Sequence, residues 1–522
     1  MAARRGCSAA LALALVLVTT HVLCAAGGRV NVVLLGATGN LAEKYLWQGF
    51  FNIFADGLHG AGAGDQVFVY PAATKDVASS APILARILRD NITVSAARKA
   101  AAPGALGAFL ARVAPYTQLK SDADYAALGR RIAADTLASG ERESGRLLYL
   151  SVPPKFFGSI AESVNAHLRP AGWLRVIVEK PFGVDLPSAQ ALAAGLYRSL
   201  KQDEILLVDH YMGKEIMAGA RQFLRANPEA LRGADRPLSV EVGMLERDDC
   251  KGRTGFYDEV GVLRDTMQNH LMMMLALVAM DVEAVRAGTP EPEARRRVFE
   301  GLSRARLARS ELKQYRAYNE HVNADRAKWG DKPLDKPSRT PTYARVDFSL
   351  DYAASPLHGV PIVFKSGKAL DVRHSYVNVH FASGALLHFH MQGPHKESGL
   401  ADEPMVFRSA QPLGRCFETE PKSGWRCKAL EGGRGFVSLA PSKTNAYEVL
   451  LRAGLEGEAE NFVRLDEVLE SWKVWTPLLD DMAAAGDDLE LELYDHGYGD
   501  HYLPHGRGGG QPVRARQDKT EL

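Results

Sequence analysis

From Arg29 to about Val208 the chain alternates short, mostly apolar runs with longer stretches in which apolar residues recur every three or four positions. The runs Val30–Leu35, Val67–Val69, Leu147–Leu150, Leu174–Val178 and Ile205–Val208 predict strands covered on both faces. Between them Leu41–Ala55, Tyr125–Leu137, Phe156–Leu168 and Ser188–Leu200 carry the helical period. Parallel strands need crossover connections, and crossover helices bury both faces of the sheet, so this order predicts an α/β, doubly wound parallel sheet of Rossmann type.

After about Glu215 the pattern changes. A helix to about Ala226 leads to a strand at Ser239–Leu245, a helical run at Leu271–Met280 and a charged stretch, Glu291–Lys328. Strand patterns then follow one another directly: Tyr343–Leu350, Val360–Phe364, Tyr376–Phe381, Ala385–Met391 and Met405–Arg408. Strands in succession predict a large α+β domain with an antiparallel sheet, whose surface could serve as a dimer face.

Charge narrows the function. Across 522 residues, 63 Lys and Arg balance 62 Asp and Glu for a net +1. The charges are scattered, so nothing points to nucleic acid as a partner. The first residues depart from the mixture: Arg4-Arg5 precede the apolar run Ala9–Val18 and small residues at Cys24-Ala25-Ala26-Gly27. This is the order of a cleavable secretory leader, and the run is shorter than the roughly 20 residues of a membrane span. The last four residues, Lys519-Thr520-Glu521-Leu522, resemble the Lys-Asp-Glu-Leu address of the endoplasmic reticulum, which predicts a location in that lumen. Of five cysteines, Cys7 and Cys24 fall in the leader, leaving Cys250 and the pair Cys416 and Cys427, which is either one disulfide or two free thiols. The sequon Asn91-Ile92-Thr93 is compatible with the lumen and is also expected by chance in a chain of this length.

Three blocks carry chemistry. Gly36-Ala37-Thr38-Gly39-Asn40-Leu41 follows the first strand and opens a helix, the place where glycines let a pyrophosphate approach a helix N-terminus. Asp209-His210-Tyr211-Met212-Gly213-Lys214-Glu215 and Arg264-Asp265-Thr266-Met267-Gln268-Asn269-His270 gather two His, two Asp, a Tyr and a Lys, a set suited to removing a proton and a hydride from a phosphorylated alcohol. Beyond the second strand, Tyr70–Asp76 has neither the acidic residue of an NAD site nor the Arg of an NADP site in the obvious place, which leaves the cofactor's ribose open.

These blocks, together with Val178-Glu179-Lys180-Pro181-Phe182-Gly183, Gly359-Val360-Pro361, Ser366-Gly367-Lys368-Ala369-Leu370 and Trp475-Thr476-Pro477-Leu478-Leu479, resemble the glucose-6-phosphate dehydrogenase family. They stand in family order, and the likeness is nearest to the family's hexose-6-phosphate dehydrogenases of the endoplasmic reticulum, without the 6-phosphogluconolactonase domain of those enzymes. The resemblance implies oxidation of C1 of glucose 6-phosphate, or another hexose 6-phosphate, to the 6-phosphogluconolactone. This is an oxidative pentose phosphate step, with the hydride passing to NADP, or to NAD as a second acceptor. It implies His270 as the base, with Asp209 holding it, and His210, Tyr211 and Lys214 on the 6-phosphate. Glu246, Asp265, Lys180, Lys368 and Arg373 are implied as further sugar and phosphate contacts. Gly36, Ala37, Thr38, Gly39, Asn40, Leu41 and Lys180 are implied on the cofactor, with Lys180-Pro181 in cis. No metal ligands are assigned.

The implied organisation is a leader at 1–26, a nucleotide-binding domain at 28–208, a substrate and dimerisation domain at 209–502, and a flexible tail at 503–522, assembled as a homodimer or higher oligomer. Departures from the family concern the cofactor. Cytosolic members have Asp at the place of Asn40, Lys at that of Tyr45 and an Arg near Thr74, so a weak NADP preference is expected, with Lys44 and Lys75 as the only nearby cations. Two other readings share part of the pattern. A glucose-fructose oxidoreductase-like enzyme would leave the Asp209 and His270 blocks unexplained, and a silent lumenal binding protein would have no need of that acid-base pair.

Overall fold

The computed structural model describes residues 28–57, 67–392, 405–408, 426–429, 435–439 and 445–499. The leader, the tail, the terminal tetrapeptide and Cys416 lie outside these residues, as does the side chain of Cys427. Two compact units emerge: Met1–Lys214 with Lys443–Leu469, and Glu215–Ser442 with Glu470–Leu522.

In the first unit, strands β1 (Arg29–Leu35), β2 (Val67–Ala73), β3 (Thr117–Gln118), β4 (Glu143–Leu150), β5 (Trp173–Val178) and β6 (Ile205–Leu207) form a sheet in the order β3-β2-β1-β4-β5-β6. Every described pairing in it is parallel. All seven residues of β1 are buried, as a strand covered by helices on both faces requires. The turn of the strand order between β1 and β4 leaves a crevice at their carboxyl ends, where open α/β sheets bind ligands.

Between β2 and β4 the structure adds helices absent from the sequence reading: Val77–Asp90, Ala96–Ala101 and Ala105–Leu110. The first is capped by Asp76, whose Oδ1 accepts from the Ser79 amide at 2.8 Å. It buries only Ser80, Leu84 and Ile87, too sparse a stripe to read from the chain.

The segment near residue 450 returns to this unit. Its helix Ala446–Glu456 packs on Trp47–Gly57, where Asn52 Nδ2 donates to Glu448 Oε2 at 2.6 Å and Arg452 pairs with Asp56 at 2.7 Å. Arg175 on β5 donates to the Gly454 and Leu455 carbonyls at 3.0 and 2.7 Å. Val463 then bridges Leu207 in antiparallel sense, continuing the sheet beyond β6.

The second unit contains β7 (Pro237–Leu245), β8 (Ser310–Tyr315), β9 (Tyr343–Phe348), β10 (Ile362–Gly367), β11 (His374–Phe381), β12 (Leu386–Gln392), β13 (Met405–Arg408), β14 (Arg426–Ala429), β15 (Gly435–Leu439) and β16 (Glu492–Tyr494). Their order is β14-β15-β13-β12-β11-β7-β10-β9-β8-β16. The expected antiparallel sheet is in fact mixed: β7 pairs with β10, and β8 with β16, in parallel. Long excursions precede β10 and β16, so hairpin connections do not force the direction of either strand.

The helix Met272–Ala279 is buried at all eight positions, which explains a run with no polar face. Glu291 holds Arg221, Arg225 and Arg295 at 3.3, 2.5 and 3.0 Å, tying the helices Glu215–Ala226 and Glu291–Gly301. Burial alone would raise the Glu291 pKa, but the three guanidinium groups outweigh it and hold the carboxyl below its ordinary value.

Candidate active site

The residues singled out by sequence divide between the two units. In the first, β1 ends in a turn whose Gly36 has φ +85°, and its amide donates to the Ala72 carbonyl at 2.8 Å. A Cβ at Gly36 would stand 2.2 Å from the Ser151 carbonyl oxygen, and one at Gly39 would stand 3.1 Å from the Gly36 oxygen. Only glycine fits the first position, and the bare backbone leads straight into the helical stretch opening at Asn40, which is exposed, as a pyrophosphate cradle requires. Ala37 and Leu41 pack inward, and Thr38 is half-buried.

Around this turn Lys44, Thr74 and Lys75 are exposed. The expectation that Lys44 and Lys75 are the only nearby cations is corrected by Arg86, whose NH1 lies 2.9 Å from Glu43 Oε1. Arg86 sits on the unread helix Val77–Asp90, and no local signal ties it to a residue 43 positions earlier. Tyr45 stacks on Tyr447 from the returning helix, with ring centroids 5.2 Å apart.

The strand β5 delivers Glu179 and Lys180, and the Lys180-Pro181 peptide is cis. Glu179 as a residue is half-buried, but its carboxyl is deeply enclosed and accepts a short hydrogen bond from the Tyr149 hydroxyl. Desolvation raises the carboxyl pKa to about 7, against the opposing influences of Tyr149 and Lys180. Sequence alone gave Glu179 no role, because its titration depends on burial.

After β6 the chain makes a tight turn: the amides of Met212, Gly213 and Lys214 donate to the carbonyls of Asp209, His210 and Tyr211 at 2.9, 3.2 and 2.9 Å. Asp209 is 2% exposed and its Oδ1 accepts from the Tyr211 amide at 2.9 Å. Lys214 Nζ lies 3.6 Å from the Tyr211 ring centroid, and His210 faces Tyr447 at 6.2 Å. Gly213 admits the returning helix, since a Cβ there would meet the Ala446 oxygen at 2.3 Å.

In the second unit Glu246, Asp265 and Lys368 come together. Parallel pairing sets Leu245 opposite Gly367, so the next residues, Glu246 and Lys368, emerge side by side. Lys368 is 3% exposed; its ammonium bonds Glu246 Oε2 and lies 3.2 Å from Asp265 Oδ2. Burial alone would lower the Lys368 pKa, but the two carboxylates hold it above its ordinary value. Arg373 is exposed at the entry to β11.

Asp265 and His270 lie on the π-helical segment Leu263–Leu271. Five residues apart, they would diverge by about 140° on an α-helix, whereas i→i+5 bonding brings them towards one face. Gly261, at φ +62°, starts this segment with a kink. Thr266 Oγ1 fixes it, donating to the Val262 carbonyl at 2.9 Å and sharing a hydrogen bond with Ser366 Oγ at 2.8 Å. His270 is 3% exposed, and its amide donates to Asn269 Oδ1 at 2.7 Å.

Residues 33–218 match the family profile "Glucose-6-phosphate dehydrogenase, NAD binding domain", and residues 238–501 match "Glucose-6-phosphate dehydrogenase, C-terminal domain". The chain is 36% identical over 485 residues to the GDH/6PGL endoplasmic bifunctional protein of Oryctolagus cuniculus, covering 87% of this chain and 59% of that one. For the Homo sapiens protein of the same name the figures are 34% over 483 residues, 87% and 60%. The chain therefore spans about three fifths of the length of these relatives. The chloroplastic glucose-6-phosphate 1-dehydrogenase 1 of Arabidopsis thaliana is 29% identical over 495 residues, 91% of this chain and 82% of that one. Among solved structures, a glucose-6-phosphate dehydrogenase in complex with glucose-6-phosphate superposes with TM-score 0.70 at 24% identity over 90% of this chain and 95% of that one, a likeness of fold.

The raised Glu179 carboxyl makes the stability of the first unit depend on pH. Its folded pKa of about 7 exceeds its ordinary value of 4.5, so the stability carried by the neutral form is present below about pH 4.5 and lost as pH rises through about 7. Glu179→Gln, which stays neutral, should match the wild-type melting temperature at pH 5 and exceed it by a few degrees at pH 8, measured by differential scanning calorimetry. Equal melting temperatures at both pH values would refute the shift.

Proposed function

The chain belongs to the glucose-6-phosphate dehydrogenase family, and on that premise we propose that it oxidises C1 of glucose 6-phosphate to 6-phosphogluconolactone. The observation that carries this is the Lys368, Glu246 and Asp265 cluster: a buried ammonium orienting two carboxylates gives a set of donors and acceptors suited to the hydroxyls of a sugar ring. A ring nitrogen of His270 takes the proton of the C1 hydroxyl, and Asp209 stabilises the imidazolium that results. His210, Tyr211 and Lys214 bind the 6-phosphate, Lys214 as a cation and Tyr211 as a hydroxyl donor. Arg373 and Lys180 add contacts to sugar and phosphate.

The Gly36 turn fits a dinucleotide, and with it Ala37, Thr38, Gly39, Asn40, Leu41 and Lys180 hold NADP, or NAD as a second acceptor. When bound, the nicotinamide supplies the hydride acceptor. Among hexose 6-phosphates glucose 6-phosphate is the expected substrate, and assembly as a homodimer or higher oligomer through the second unit's sheet accompanies this reading. So does a location in the endoplasmic reticulum lumen, supported by the leader-like first 26 residues, by Lys519–Leu522 and by the names of the endoplasmic relatives. Among the described residues no helix is long and apolar enough to cross a membrane.

Steady-state rates with glucose 6-phosphate, galactose 6-phosphate and glucose, each with NADP and with NAD, test the activity. His270→Asn should cut kcat by about 10² or more while leaving the binding of glucose 6-phosphate nearly unchanged. Retention of a tenth of wild-type turnover would remove His270 from the role of base.

Cofactor selectivity turns on Glu43, which neutralises Arg86 beside the turn. Glu43→Gln should release Arg86 towards a 2′-phosphate, lowering the Kd of NADP several-fold and leaving that of NAD almost unchanged, by isothermal titration calorimetry. A parallel change for both cofactors would contradict this. For location, loss of Lys519–Leu522 should send the protein into the medium, and its retention in the cell would show that the tail is not the address.

A further inference from the structure

Outside the residues assigned above, three histidines converge in the second unit's sheet. On β12 the order Leu387-His388-Phe389-His390-Met391 alternates strictly, so His388 and His390 share one face and the apolar residues take the other. On the antiparallel neighbour β11, Tyr376 faces His390 and Asn378 faces His388. β11 keeps its register with β7 from His374 to His380, so alternation puts His374 on the face of Tyr376 and Asn378. His374 thereby joins the same cluster, its ring centroid 4.8 Å from that of His390 and 5.7 Å from that of His388. The three are 6%, 0% and 4% exposed, and one ring nitrogen from each lies within 4.8 Å of the other two. Arg373, the residue before β11, is exposed, whereas His374 is buried.

We propose that His374, His388 and His390 bind a divalent transition cation of the zinc class, linking β11 to β12. Neutral imidazole is the preferred ligand of such ions, whereas Mg²⁺ and Ca²⁺ require oxygen. The tautomer of one ligand is set: Asn378 Oδ1, 2.6 Å from His388 Nδ1, accepts its proton and leaves Nε2 as the donor to a metal. A tetrahedral ion with Zn–N distances of about 2.0–2.1 Å separates its ligands by about 3.3 Å, so closing on it from 4.8 Å asks each ring to move less than about 1 Å. Glu241 on β7, paired in register with Asn378, lies on the same face, where it accepts from the Tyr376 hydroxyl and pairs with Lys365 at 3.3 Å. The fourth position is left to water.

The test uses the untagged full chain, freed of metal by chelator dialysis and titrated with ZnCl₂ by calorimetry, with bound metal counted by mass spectrometry. Binding of about one Zn²⁺ per chain with Kd below about 1 µM at pH 7.5, weakening at least about tenfold at pH 5.5 as the imidazoles protonate, is expected. His388→Ala and His390→Ala should each weaken it about 100-fold, whereas His380→Ala, on the same strand as His374 but outside the cluster, should not. Substoichiometric binding by wild type, or equal loss in His380→Ala, would overturn the proposal. Co²⁺ added to the wild-type chain needs no variant to fold. Visible bands of a four-coordinate ion without thiolate charge transfer support the assignment; their absence, or a thiolate band placing the ion at a cysteine, overturns it.

Discussion

The buried ammonium of Lys368 is the constraint around which the second unit's chemistry is arranged. An isolated charge at 3% exposure costs several kcal/mol, and Lys368 persists because Glu246 and Asp265 meet it. The three residues come from the end of β10, the end of β7 and the π-helical segment, so the pairing makes those segments depend on one another. It also rests on the parallel pairing of β7 with β10 in the middle of the sheet. Had β7 and β10 run antiparallel, the residues after Leu245 and Gly367 would leave from opposite ends. Thr266 and Ser366 brace the same junction without charge, fixing the π-helical segment against β10.

Much of this was legible in the chain, for identifiable reasons. The strands β1, β4, β5 and β6 were readable because a strand buried on both faces is a continuous apolar run, and such runs stand out between amphipathic helices. The strand β8 was not, because Ser-Glu-Leu-Lys-Gln-Tyr looks like part of a charged stretch. Lys313 within it is buried because Glu311 lies at 2.7 Å, Glu492, from the far end of the unit, at 3.1 Å, and the Tyr498 hydroxyl at 3.1 Å. The parallel pairing of β7 with β10 was equally hidden, since nothing local to either strand encodes its neighbour. Of the chemistry, the residue types at 209–215 and 264–270 announced themselves by density. The partnership of Glu43 with Arg86, the stacking of Tyr45 on Tyr447 and the raised carboxyl of Glu179 arise only when distant segments meet. On β12 the His-x-His spacing could be read as a shared face, but His374 joins it only through the register of β11.

Two tightly surrounded glycines do different work. Gly36 has a left-handed backbone and no room for a Cβ, and it shapes the turn at the carboxyl end of β1. Gly213 lets the returning helix lie against the turn that carries Asp209, His210 and Tyr211, so the geometry of those side chains is backed by residues more than 200 positions later. The first unit is thus finished by a segment the sequence places inside the second.

That return has a consequence for how the protein is made. The helix Ala446–Glu456 covers Gly49, Leu147 and Ile177, and Val463 extends the sheet edge at Leu207. Until about residue 469 has left the ribosome, the first unit has an uncovered apolar flank and an open edge strand, however long ago its own strands were synthesised. At roughly 5–20 residues per second this exposure lasts on the order of ten seconds or more, long enough to make the nascent chain a client for chaperones that shield apolar surface. The unit that begins the sequence is closed only by a segment made more than 200 residues after its sixth strand.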